Sequence, residues 1–271
     1  EFSEARYAKM VAQKFGSQHH EIRLTPADLL NSLDDALGAM DHPSGDGPNT
    51  WIVSQHTKRE GVKMAISGLG GDELFAGYDI FKSLPSIAER NWILSFPKEI
   101  RSLVGSINVA FKKDMRSRKM KAILGAEYFN LETLLPIFRR VLMDDQVSDL
   151  LLDKRLKKDE LSGLIKNLEQ FGGFSGLPTL SRIGLGEIYG YMQNVLLRDT
   201  DQMAMSHALE VRVPFLDHRL VEYVTQVPDG LKYPHQPKKL LVDSFSGLLP
   251  KEIVDRPKMG FVLPWEEWLK N

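Results

Sequence analysis

Over residues 3–15 the apolar side chains Tyr7, Met10, Val11 and Phe15 recur at spacings of three and four, which predicts a helix behind a Ser3 cap. His20 to Leu24 alternates briefly as a strand does. Thr25-Pro26 then caps and starts a second helix whose Leu29, Leu30, Leu33 and Leu37 share one face. Residues 41–50 hold two prolines and two glycines and read as a loop. A short helix over 51–60, ended at Gly61, leads into Val62-Lys63-Met64-Ala65-Ile66, an apolar run of strand length. Helix, strand, helix, strand predicts an α/β arrangement, a parallel sheet flanked by helices.

After Tyr78 the pattern changes. Residues 84–93, 98–111, 131–152 and 156–170 favour helix formers with apolar positions at helical spacing, so residues 80–271 are expected to be mainly helical. Further helices are predicted at 184–197 and 216–226, with Arg198, Asp199 and Asp201 in the loop they flank, and at 237–247 before the turn Leu249-Pro250. Length permits one large domain, at roughly 100–200 residues per domain, or one with a small satellite. The absence of a Gly/Ser/Pro-rich linker favours a single domain over 1–271.

Composition narrows the function classes. Hydrophobic residues at 42% and charged residues at 26% describe an ordinary folded protein. With 35 basic and 36 acidic side chains, the net charge of −1 gives no global field for nucleic acid or anionic lipid. No cysteine is present, which excludes a disulfide framework, a thiolate metal site and a cysteine nucleophile in this stretch. No run of about 18 apolar residues is available to span a bilayer, so a soluble protein is expected. The basic run from Lys112 to Lys121 reads as a solvated helix end or loop and is given no binding role. His19 and His20 are expected to be structural, because neighbours on a strand diverge too far to share a metal.

The most informative stretch, Ser67-Gly68-Leu69-Gly70-Gly71-Asp72-Glu73-Leu74-Phe75-Ala76-Gly77-Tyr78, begins where the apolar strand ends, and ligands gather at such carboxyl ends. Glycines let backbone N–H groups approach and cradle an anion, while Asp72 beside them could hold the magnesium that phosphates require. A plain tight turn with a capping acid would use the same residue types. Asp46, Asn49 and Thr50, just ahead of a helix, suggest substrate or phosphate contact at its N-terminus, and capping explains them equally.

The twelve-residue string resembles the Ser-Gly-x-Gly-x-Asp-Glu signature of the asparagine synthetase family. Arg198 to Asp201, followed by 203–217 with Glu210, Arg212, Val213-Pro214-Phe215-Leu216 and Asp217, resembles the family's other long motif. Lys238 to Phe245, then Leu249-Pro250 through Arg256, Lys258, Gly260-Phe261 and Trp265, is similar to its C-terminal end. The resemblance covers nearly the whole chain, least closely over residues 80–180. It implies an ATP pyrophosphatase fold (adenine nucleotide alpha hydrolase-like), in which residues 1–79 form the nucleotide-binding part and 80–271 complete the site. The implied ligase activates a carboxylate with ATP, releasing pyrophosphate, and ammonia then displaces AMP to give an amide. ATP and Mg2+ are the implied cofactors. On the family pattern Asp72 is the metal ligand, Ser67, Gly68, Gly70 and Gly71 lie at the pyrophosphate, Lys258 and Lys238 stabilise developing phosphate charge, and Arg198 and Asp201 line the pocket mouth. Glu210, Arg212 and Asp217 read as buried ion pairs that fix packing. The implied partners are a small carboxylate substrate, a glutaminase domain in a longer parent and a second copy in a homodimer, in the cytoplasm, with no nucleic acid or membrane.

Two departures qualify that implication. The family's glutaminase half and its Ser-Gly-Gly-x-Asp-Ser phosphate loop lie outside these residues. An N-terminally truncated sheet with an exposed edge is therefore expected, with weak ATP affinity and no synthetase activity of the chain alone. Leu69 stands where asparagine synthetases usually carry an acid that takes a proton from ammonia, and an apolar side chain cannot do so. Either Glu73 serves as base, or a carboxylate other than aspartate is amidated, as in lactam-forming relatives. A non-catalytic binding homologue is the reading from a different class. Val242 also replaces an arginine common in the family.

Overall fold

The structure, a computed structural model, describes residues 4–112, 114–151, 163–167, 174, 176–233, 236–256 and 268. In chain order the first elements are α1 (Ala5–Phe15), α2 (Pro26–Gly38), α3 (Gly47–Arg59), β1 (Met64–Ile66), α4 (Gly71–Leu74), α5 (Ile80–Ala88), α6 (Lys98–Lys112) and α7 (Met115–Gly125). Then come α8 (Leu131–Arg139), α9 (Asp144–Leu150), α10 (Thr179–Glu187), α11 (Leu197–Met205), β2 (Glu210–Arg212), α12 (His218–Gln226), α13 (Asp229–Lys232), α14 (Lys239–Ser244) and α15 (Lys251–Val254). This is a helix-rich α/β structure. It divides into unit 1 (Glu1–Leu69, Gln193–Asp217, Lys239–Asn271) and unit 2 (Gly70–Met192, His218–Lys238).

Unit 1 carries a two-stranded parallel sheet among the described residues, with Met64 opposite Glu210, Ala65 opposite Val211 and Ile66 opposite Arg212. Its core is small: Leu29 and Ala36 of α2 meet Trp51 and Ile52 of α3 and Met203 of α11. Thr25 starts α2 with a capping box, its hydroxyl accepting from the Asp28 N–H while the Asp28 carboxylate accepts from the Thr25 N–H. Pro48 in the first turn of α3 loses no hydrogen bond there, since first-turn N–H groups have no helical acceptor.

Unit 2 is helical and buries far more. Phe81 and Leu84 of α5, Ile123 of α7, Leu134 and Leu135 of α8 and Ile183 of α10 form one apolar cluster. A leucine buried as fully as Leu135 contributes about 1.5–3 kcal/mol relative to exposure. α6 and α7 pack closely at Gly105, where a Cβ would lie 2.8 Å from the Lys121 Cα. The buried Arg101 ties that hairpin together by donating to the carbonyls of Phe96, Leu124 and Ala126.

Several expectations need correction. Residues 20–24 form no strand, because alternation becomes a strand only where a neighbour exchanges backbone hydrogen bonds, and none does so here among the described residues. Of the leucines on α2 only Leu29 is buried; Leu30 and Leu37 are exposed, and Ala36 takes the second core position. α3 starts at Gly47, so Asn49 and Thr50 are helical. The helix over 131–152 breaks at 140–143, where Met143 adopts extended backbone and Gln146 accepts from its N–H to start α9. Arg198, Asp199 and Asp201 lie inside α11, and residues 188–196 ahead of it are π-helical. Glu210 and Arg212 do pair, at 2.6 Å, on an exposed surface, because the strand that carries them is solvated. His19 and His20 are exposed, and His20 lies 3.5 Å from Glu60. Ser3 and residues 156–160 lie outside the described residues.

Candidate functional site

β1 hands the chain to the glycine-rich loop through a last ladder bond, the Ser67 N–H donating to the Arg212 carbonyl at 2.8 Å. The Ser67 hydroxyl accepts from the Leu69 N–H at 3.3 Å, closing a tight turn. Gly70 has φ 92°, in the left-handed region where a side chain is strained, and opens the single helical turn α4. The chain then reverses again at Ala76, φ 54°, as the Gly77 N–H bonds the Asp72 carbonyl at 2.8 Å.

That reversal gathers three residues within unit 2. The Lys238 ammonium lies 3.1 Å from Asp72 Oδ1, both groups partly exposed. Its backbone N–H donates to the Phe75 carbonyl at 3.0 Å, holding Lys238 at φ 57°. Gly77 makes this possible: a Cβ there would fall 1.9 Å from Asp72 Oδ1 and 2.6 Å from Lys238 Cε. A glycine-rich turn, a carboxylate and a sequence-distant ammonium therefore meet in one place. Lys258 lies outside the described residues.

Behind the loop stands a buried polar network. Glu73, 1% exposed, accepts from the Tyr78 hydroxyl at 2.7 Å, and burial pushes its carboxyl above the usual range. Burial likewise raises the Tyr78 phenol. The Arg139 guanidinium sits 4.8 Å from the Tyr78 ring and 4.1 Å from the Tyr191 ring, and its Nε donates to the buried Glu187 at 2.9 Å. Gly184 lets α10 approach, since a Cβ there would come 2.6 Å from the Glu73 carbonyl oxygen.

The remaining predicted residues belong to unit 1. Asp46 precedes α3 and accepts from the Asn49 amide at 3.1 Å, while its N–H donates to Ser44 at 3.2 Å; Asn49 is buried and Thr50 half-buried. Arg198, exposed on α11, lies 3.5 Å from Asp41, and Asp201 is exposed. The sequence reading missed the centre of this cluster. Asp199 is buried, accepts from the Ser44 hydroxyl and lies 3.5 Å from His42 Nε2, whose Nδ1 is 2.7 Å from Asp41. Burial raises its carboxyl, against the opposing hydrogen bond from Ser44. Helical spacing could have revealed it, because Asp199 and the buried Met203 are four apart.

The asparagine synthase family matches residues 1–271. The chain belongs to that family. Asparagine synthetase (glutamine-hydrolyzing) 1 of Bacillus subtilis is 27% identical over 277 residues, covering 100% of this chain and 42% of the relative. Asparagine synthetase (glutamine-hydrolyzing) 3 of the same organism is 27% identical over 259 residues, covering 94% and 35%. An amidase of Penicillium rubens, chyE, is 24% identical over 291 residues, covering 98% and 42%. The chain thus spans about two fifths of the length of the curated relatives it matches. No described helix is long and apolar enough to cross a membrane.

Proposed function

We propose that this chain is the synthetase part of an ATP-dependent amide-forming ligase with an ATP pyrophosphatase fold, activating a carboxylate as its adenylate for attack by ammonia. Beyond family membership, the reading is supported chiefly by the meeting of Asp72 and Lys238 over Gly77 at the end of the glycine-rich turn. Departing pyrophosphate concentrates negative charge. A fixed ammonium and backbone donors from Ser67 to Gly71 stabilise it without reorganising as the bond breaks. Magnesium fits Asp72 as a single carboxylate ligand, because that ion keeps waters and takes its other oxygens from phosphate. When bound, the ion would neutralise phosphate charge. Lys258 is proposed as a second ammonium, and Arg198, Asp201, Asp46, Asn49 and Thr50 as the group that contacts substrate.

For Glu73 the geometry favours anchoring the loop through Tyr78 over meeting ammonia, since its carboxylate is 1% exposed. Glu73→Gln distinguishes the parts: an anchor loses stability with an unmoved pH–rate profile, whereas a base loses kcat and its acid limb. Leu69 favours an acceptor other than aspartate as the second reading. The decisive assay is carboxylate-dependent pyrophosphate release by the full-length protein carrying these residues, read over a panel that includes aspartate. Asp72→Asn and Lys238→Ala are each expected to lower kcat by about 10²-fold or more. Unchanged turnover in both would sink the proposal.

A further inference from the structure

Unit 2 contains a cleft of about 500 Å³ between α5, α7 and the end of α8. Its floor is apolar, formed by Ile87, Ile123 and Phe138, and its rim is cationic, formed by Arg90, Arg116 and Lys119. No acid lines it among the described residues. This is an unusual balance, because three cations brought together repel and are ordinarily matched by carboxylates. The basic run along α7 is in fact sorted by the helix. Arg118 is paired with Asp145, whereas Arg116 and Lys119 turn to the cleft, and neither Arg90 nor Arg116 makes an ion pair among the described residues. Asp114, close in sequence, caps α7 by accepting from the Ser117 N–H, and its carboxyl is lowered first by that bond and last by the charges of Lys112 and Arg116.

Lys119 is held in place by donating to the Phe138 carbonyl at 2.7 Å, at the junction of floor and rim. Burial, and then the Arg139 guanidinium, push its ammonium below the ordinary range. Ser83 and Ser86 of α5 add hydroxyl donors to the same wall. The volume falls within the range of small-molecule sites, about 300–1,000 Å³.

We propose that this cleft binds an amphipathic organic anion, a monocarboxylate with an alkyl or aryl body of about ten carbons, its body on Ile87, Ile123 and Phe138 and its carboxylate among Arg90, Arg116 and Lys119. The assignment is independent of the amide-forming reading, since it uses none of the residues invoked for that chemistry.

Calorimetric titration with decanoate, against the neutral decanol, tests it. Decanoate is expected to saturate one site and to bind at least about tenfold more tightly than decanol. Arg116→Glu, a change at an exposed position, is expected to weaken decanoate by about tenfold or more while leaving decanol nearly unaffected. Ser86→Trp, which fills the cleft, should abolish both, with far-ultraviolet circular dichroism verifying that each variant is folded. Equal affinity for acid and alcohol, unsaturable binding, or indifference of folded Arg116→Glu and Ser86→Trp to decanoate would each overturn the site.

Discussion

Unit 2 surrounds a broad apolar cluster with helices and holds its most buried ionic groups in fixed partnerships, as Arg101, Arg139 and Lys232 show. Unit 1 has a small core under α2, α3 and α11 and a short parallel ladder whose Ile66 is 71% exposed. Parallel ladders are ordinarily covered on both faces. The glycine-rich turn starts in the lightly packed unit and acquires its carboxylate, its ammonium and its buried supports in the densely packed one. What the difference teaches is where positioning comes from: a loop can leave a thin strand and still have its functional groups placed by a deep core at its far end.

The sharpest way to break that contrast is to open the deeper core. Leu135→Ala removes a side chain with no exposure and is expected to cost about 2–5 kcal/mol. Hydrogen exchange should accelerate most in peptides of α5, α8 and α10; equal acceleration in α2 and α3 would dissolve the distinction between units.

A second test titrates the same core. Lys232, 1% exposed, donates to the Ser181 hydroxyl, and burial lowers its ammonium to about 8, against a small opposing pull from Asp229. The unfolded chain therefore holds more protons between about pH 8 and 10.5, so stability rises with pH through that window. At about 1.4 kcal/mol per pH unit the gain is roughly 3 kcal/mol. Urea midpoints at pH 8 and pH 10 should show the rise, and Lys232→Met should flatten it.

The smallest expected effect falls in unit 1. Thr25→Ala removes the cap of α2 and is expected to cost about 1 kcal/mol by urea denaturation. A loss as large as that of Leu135→Ala would mean that the thin core depends on its helix ends far more than its packing indicates.

How much of this was legible in sequence depended on whether the signal was local. The capping box at Thr25, the strand at Met64–Ile66 and the glycine-rich turn after it are written in neighbouring residues, and all three are found there. The strand expected at 20–24 was not, since strands are made by partners that a short alternating pattern cannot name. Asp199 was passed over for Arg198 and Asp201 because 198–201 read as loop; once it is helix, spacing alone turns Asp199 inward. The pairing of Lys238 with Asp72 spans a separation that no local pattern encodes; the glycine-rich string brought Asp72 forward, and only the resemblance to a family brought Lys238. The basic run on α7 looked uniform in sequence, yet within a single helical turn Arg118 is paired with an acid while Arg116 and Lys119 line the cleft.

Gly77 also sets a boundary on how this protein can be re-engineered. Any β-carbon at that point must displace the Asp72 carboxylate or the Lys238 stem, so every substitution at position 77 disturbs the charge pair. Gly68, with no atom within 4 Å of where its β-carbon would sit, is the open door in the same turn. Side chains introduced there leave the charge pair in place.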